Sequence, residues 1–198
     1  MDIIFASHNL HKVGEVRDIF RDLDVKIWSL RDLNYLHEID EVGATFSENS
    51  LIKARTIAAF FNKMVIADDS GLEIDALKGN PGIYSARYAG ENSTGMMLCQ
   101  KVLAEMKAFD GAARSCCFTT VMSLVDPQLK VEQFFEGKVQ GFITQEMQGS
   151  DGFGYDPIFF YPPLAKTMAQ MSFSEKNSIS HRFRALQKVK EYIKQTYA

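Results

Sequence analysis

The segment Met64-Val65-Ile66-Ala67-Asp68-Asp69-Ser70-Gly71-Leu72-Glu73-Ile74-Asp75-Ala76-Leu77 limits the fold more than any other part of the chain. Its two short apolar runs have the length and the bounding turn residues of buried strands. Between them lies Asp-Asp-Ser-Gly. Asp and Ser side chains bond their own backbone and Gly tolerates positive φ, so this tetrapeptide favours a tight turn. The expectation is strand, acidic corner, strand, with two carboxylates side by side at a strand end. Such a pair serves as a turn former only, or it holds a divalent cation against phosphates. Mg²⁺ takes one or two carboxylates and completes its shell with substrate oxygens.

The flanking chain supplies helices for these strands. Residues 3–6 read as a buried strand. Leu10, Val13, Val16, Ile19 and Phe20 then share one helical face, and Asn9 can cap its start. Residues 25–30 read as a second strand. Thr45-Phe46-Ser47-Glu48 has the form of a capping box, with Leu51, Ala54, Ala58 and Phe61 continuing the face. Residues 94–108 read as a helix. Residues 113–125 and 131–143 read as long strands, antiparallel because the link across Asp126-Pro127 is short. Residues 155–161 read as a strand that Pro162-Pro163 ends. Ser172 and Glu175 suggest another capping box, and Phe183, Leu186, Val189 and Ile193 a final helix. The fold expected is α/β, a mixed central sheet flanked by helices, in one domain over 1–198.

Charge and cysteine usage narrow the function. The net charge of −3 leaves no global basic field for a nucleic acid. No stretch approaches the ~20 apolar residues of a membrane helix. Cys99, Cys116 and Cys117 are odd in number and two are adjacent, which argues for a reducing, cytoplasmic setting rather than a disulfide framework. The first six residues lack a basic segment and read as a strand, not a secretion signal.

Four polar groups stand at element ends. Ser7-His8-Asn9-Leu10-His11-Lys12, with Glu15, forms a strand-to-helix turn, where helix N–H groups favour an anion. A capped, solvated helix start is the plainer reading. Asp68, Asp69 and Ser70 have Glu41 or Asp40 as further acids and Lys53 as a charge partner; Glu48 is assigned to the capping box. Gly152-Phe153-Gly154-Tyr155-Asp156 allows close backbone approach, and its aromatics either stack on a base or fill the core. Lys176, His181 and Arg182 bring donors to a helix start, a place the helix dipole disfavours for cations.

Ser-His-Asn-Leu-His-Lys (7–12), Ala-Asp-Asp-Ser-Gly-Leu (67–72), Pro-Gly-Ile-Tyr-Ser-Ala-Arg (81–87), Gly-Phe-Gly-Tyr-Asp-Pro (152–157) and Glu-Lys-Asn-Ser-Ile-Ser-His-Arg (175–182) occur in one order along nearly the whole chain. Together they resemble the inosine/xanthosine triphosphate pyrophosphatase family. The resemblance implies an elongated two-lobed subunit with its site in the cleft between lobes, a homodimer, and Mg²⁺-dependent cleavage of ITP, dITP and XTP to monophosphate and pyrophosphate. It implies that Ser7 to Lys12 hold phosphates and that Asp69 is the general base. Asp68 and Asp69, with Glu41 ahead of Asp40, would engage the metal. Ser70 would contact substrate, Phe153 to Asp156 would clasp base and sugar, and Lys176, His181 and Arg182 would read the purine. His8 and His11 stand where relatives often carry small residues. Two other readings share the acidic site: a pyrophosphatase for modified pyrimidine nucleotides and a nucleotide-binding regulator without catalysis.

Overall fold

The computed structural model describes residues 1–197. Its strands are β1 (Asp2–Phe5), β2 (Lys26–Ser29), β3 (Val65–Ile74), β4 (Ser115–Asp126), β5 (Val131–Ile143), β6 (Phe159–Tyr161) and β7 (Lys166–Thr167). They form one sheet in the order β2-β1-β3-β4-β5-β6-β7. The helices are α1 (Leu10–Phe20), α2 (Phe46–Phe61), α3 (Gly95–Glu105), α4 (Phe173–Ile179) and α5 (His181–Tyr197). β1 pairs in parallel with β2 and β3, whereas β6 pairs antiparallel with β5 and β7. The sheet is therefore mixed, as expected. Contacts divide the chain into two compact units: Met1–Asp69, Thr120–Gly137 and the described residues from Arg182 onward, and Ser70–Thr119 with Lys138–His181.

In the first unit β1 lies between β2 and β3. The chain leaves β1 through α1 to one side and then crosses through α2 to the other. Right-handed crossovers to opposite sides put these helices on opposite faces of the sheet. Strand alternation then divides the core. Ile3, Phe5 and Ile66 cluster with Val16 and Phe20 of α1 and with Leu186 and Val189 of α5. Ile4, Val65 and Ala67 cluster with Ala54, Ile57 and Ala58 of α2.

The acidic corner is not a corner. Asp68, Asp69, Ser70 and Gly71 lie inside the single ten-residue strand β3, and no reversal separates the two apolar runs. Sheet pairing overrides turn propensity here. β3 is flanked by β1 and β4, and the Thr120 hydroxyl donates to the Asp69 carbonyl at 3.2 Å. The strand stops short of residue 77, because Asp75–Leu77 coils into a 3₁₀ turn. Residues 156–158 likewise form a 3₁₀ turn before β6, where Pro157 has no N–H to give a ladder.

The second unit packs Leu72, Ile74, Leu98, Val102, Phe118, Val139, Ile158 and Phe159 into one core. Arg114, 5% exposed, donates to the carbonyls of Met106, Phe109, Ile143 and Thr144. That fastens the end of α3 to the end of β5. Asn9 accepts from the His11 and Lys12 amides, and Ser172 and Glu175 exchange bonds as a full capping box; Thr45 accepts from the Glu48 amide, but the Glu48 side chain accepts from Ala44 and not from Thr45, so the expected box there is half formed.

Candidate functional site

Because β3 runs straight through, Asp68 and Asp69 point to opposite faces of the sheet. Asp68 falls on the face of Ile66, toward α1 and α5. There it accepts from Lys12 Nζ at 2.7 Å, and Arg182 Nε lies 3.5 Å away. Asp69 falls on the face of Ala67, toward α2, where Asn49 Nδ2 donates to it at 3.1 Å. β1 ends at Phe5, opposite Ile66, so both acids lie beyond the carboxyl end of β1, where the strand order reverses. Open α/β sheets place ligands at such switch points.

The two environments drive the neighbouring acids apart. Both are buried, at 1% and 7% exposure. Burial works against ionisation of Asp68, yet Lys12, Arg182 and Lys53 hold its carboxyl well below the usual carboxylate range. Burial raises the proton affinity of Asp69; Lys53 opposes this and Glu41 adds to it. Neighbouring acids separated in this way are the usual mark of divided roles in acid–base chemistry.

Three cations attend them. Burial pulls the Lys12 ammonium below its ordinary range, more than Asp68 raises it. Burial also lowers Lys53, but Asp68, Glu41 and Asp69 together raise it further, and its Nζ donates to Glu41 Oε1 at 2.7 Å. Arg182 donates to Glu15, and both are almost wholly buried. Glu15, Lys12, Asp68 and Arg182 thus form one charge network. Lys53, Glu41, Asp69 and Asn49 form a second group on the other face.

The turn before α1 is tied internally. Ser7 Oγ accepts from the Asn9 amide at 3.2 Å, and His8 Nε2 lies 2.7 Å from the Tyr35 carbonyl. Leu10 and His11 are exposed.

In the second unit Asp156 organises a compact cluster. Its Oδ2 accepts from Lys176 Nζ at 2.6 Å and from the Phe153 amide at 2.8 Å. Lys176 Nζ also lies 4.5 Å from the Phe153 ring centre. Gly152, at φ +79°, is required: a Cβ there would come 2.1 Å from Asp156 Oδ2. Gly154 accepts from Cys99 Sγ at 3.3 Å. Tyr155 is 4% exposed and its hydroxyl donates to the Ser85 carbonyl, so it belongs to the core. His181 stacks on Phe118 at 4.9 Å, and Phe118 stacks on Phe159 at 4.4 Å. Ser70, next in β3, is partly buried.

Residues 3–192 match the sequence profile of the Ham1 family. The chain belongs to the Ham1 family. A dITP/XTP pyrophosphatase of Thermoanaerobacter sp. is 43% identical over 193 residues, covering 98% of this chain and 96% of that protein. Among solved structures, the Ham1 protein of Staphylococcus aureus superposes with a TM-score of 0.88 at 40% identity, covering 98% of this chain and 99% of that one. A HAM1 protein from Coxiella burnetii gives 0.91 at 38% identity, with 99% and 100% covered.

In this Ham1 chain sequence reasoning passed over Asn49 and Phe118, each in contact with a candidate residue. Asn49 had a readable signal. It lies three residues after Phe46, on the buried face of α2, where an amide needs a specific partner.

Among the described residues no three His, Cys, Asp or Glu side chains gather as a metal-binding group. The donors fit Mg²⁺ in another way. Asp69 and Glu41 are oxygen donors close enough for the charge of Glu41 to act on Asp69. One or two carboxylates are what Mg²⁺ needs when substrate phosphates complete its shell. Asp68, by contrast, is already matched by Lys12 and Arg182.

Proposed function

We propose that this protein hydrolyses non-standard purine nucleoside triphosphates (dITP, ITP and XTP) to the monophosphate and pyrophosphate. The observation that carries the reading is the pair of adjacent buried acids beyond the end of β1, Asp68 held by Lys12 and Arg182 on one face and Asp69 by Asn49 on the other. The likeness to relatives named dITP/XTP pyrophosphatase supports it.

Asp69 accepts a proton from water as the water oxygen bonds to the α-phosphorus. The bond from that phosphorus to the bridging oxygen breaks, and pyrophosphate leaves with the electron pair. A positioned carboxylate base contributes about 10²–10⁴-fold. Asp68 keeps Lys12 oriented, and Lys12 with the 7–12 turn faces the phosphates. Glu41 and Asp69 would hold Mg²⁺, which when bound neutralises charge on the departing pyrophosphate.

Phe153 offers a ring face to the base, and Lys176 and His181 offer donors. Inosine and xanthine carry a carbonyl at C6 that accepts from such a donor. Adenine carries an amino group, and each buried donor left unpaired costs about 1–3 kcal/mol. Arg182, which the resemblance sets at the purine, also lies 3.5 Å from Asp68.

The test is a substrate panel of dITP, ITP, XTP, modified pyrimidine triphosphates and the four common triphosphates, with and without Mg²⁺, and products resolved by ion exchange. Monophosphate and pyrophosphate from the non-standard purines are expected. Orthophosphate as first product, or equal turnover of ATP and ITP, would refute the reading. Asp69→Asn should abolish turnover while nucleotide binding survives. We also propose a cytoplasmic homodimer, which sedimentation equilibrium checks by mass.

A further inference from the structure

Asn49 is wholly buried, and its side chain touches two parts of the candidate site. Its Oδ1 accepts from the Gly43 amide at 2.8 Å, and its Nδ2 donates to Asp69 Oδ2 at 3.1 Å. The orientation is forced. A backbone N–H only donates, so Oδ1 must face Gly43, which turns the amide nitrogen toward the Asp69 carboxylate. Gly43 approaches closely enough that a Cβ on it would come 2.7 Å from Asn49 Oδ1 and 2.6 Å from Glu48 Cβ. Gly43 closes the segment that carries Glu41, and Glu41 is held to Lys53 of the same helix, α2. Asn49 is therefore a rigid strut from α2 between the Glu41 segment and Asp69.

We propose that Asn49 is a positioning residue for the general base. It fixes one oxygen of Asp69, and so the direction of the other, and sets the distance from Asp69 to the segment bearing Glu41. This rests on the pyrophosphatase reading. The bond also explains a local cost. A buried amide in the middle of α2 is useful only where both of its polar ends are matched.

Asn49→Asp is the discriminating substitution. It keeps the shape and the acceptor for the Gly43 amide, and sets a carboxyl in place of the donor that faces Asp69, so that two acids compete there for one proton. With dITP, kcat should fall about 10–100-fold, the usual cost of removing a partner that orients a ligand or base. KM should change little, and the thermal midpoint should stay within ~4 °C of wild type, roughly 1–2 kcal/mol for a chain of this size. Asn49→Ala, which removes both bonds, should show the same split. An active wild type with unchanged kcat in Asn49→Asp overturns the inference and leaves the reaction assignment standing. A fall in kcat that tracks the loss of folded protein in both variants also overturns it, since a purely structural residue behaves that way. A wild type inert toward dITP overturns both.

Discussion

Replacing Arg182 by Leu should cost stability in a way its partner can relieve. Arg182 and Glu15 are 2% and 4% exposed at their side chains, and Arg182 Nε lies 3.5 Å from Asp68. At an effective dielectric near 20 that second contact alone is worth about 5 kcal/mol of Coulomb attraction before desolvation. In Arg182→Leu, Asp68 keeps Lys12 at 2.7 Å. Glu15 loses its guanidinium while still buried, and breaking a buried pair from one side costs about 3–5 kcal/mol. For a chain of this length that lowers the thermal midpoint by about 6–20 °C. Glu15→Leu should do the same from the other side. The double variant should be more stable than either single one, because an apolar pair of similar volume removes both desolvation penalties. The single tryptophan, Trp28, lies in β2 of the same unit, so its fluorescence during thermal and urea unfolding reports the relevant structure. Losses that add within about 0.5 kcal/mol would show that the two charges do not interact and would refute the network.

Gly152→Ala should destabilise by about 1–3 kcal/mol, because a side chain at that positive φ is strained. It should also raise KM for dITP by displacing Asp156, which steady-state kinetics with calorimetry would show. Lys176→Met should narrow the dITP over dATP ratio in kcat/KM by about tenfold, as one donor facing the purine would contribute. An unchanged ratio would move discrimination elsewhere. Glu175 has its carboxyl lowered from 4.5 to about 2 by Lys166 and the Ser172 cap. Its folded form binds the proton less readily than its unfolded form, so its contribution is present above pH 4.5 and fades as pH falls toward 2. Glu175→Gln should flatten acid unfolding in that window, measured by circular dichroism.

Periodicity made most elements legible. The α1 and α2 faces and the 131–143 strand follow from side-chain spacing, and Asn9, Thr45 and Ser172 cap as their chemistry dictates. What failed was local turn chemistry. Asp-Asp-Ser-Gly favours a turn only while its backbone groups lack partners, and here a partner comes from β4, some fifty residues away in sequence, where the Thr120 hydroxyl donates to the Asp69 carbonyl. Tyr155 was readable as either a stacking or a core residue, and only the Ser85 carbonyl, seventy residues distant, shows where its hydroxyl goes. Arg182 was readable as a cation at a helix start but not as a partner of Asp68, since Glu15 and Asp68 reach it from two separate elements.

The misread turn matters for chemistry. A turn would have set two carboxylates side by side, where one suppresses ionisation of the other and the pair shares a proton. A strand sends them to opposite faces, and each meets a different helix layer. Lys12 and Arg182 reach Asp68 from α1 and α5, and Asn49 reaches Asp69 from α2. One dipeptide thereby places two carboxyls in different surroundings, one held below and one raised above the usual carboxylate range. The parallel order β2-β1-β3 requires this division, because it alone places α1 and α2 on opposite sides of β3. Moving the acids by one residue along β3 would exchange their partners, so the register of the strand, as much as the identity of the two residues, decides which of them meets Lys12 and Arg182 and which meets Asn49.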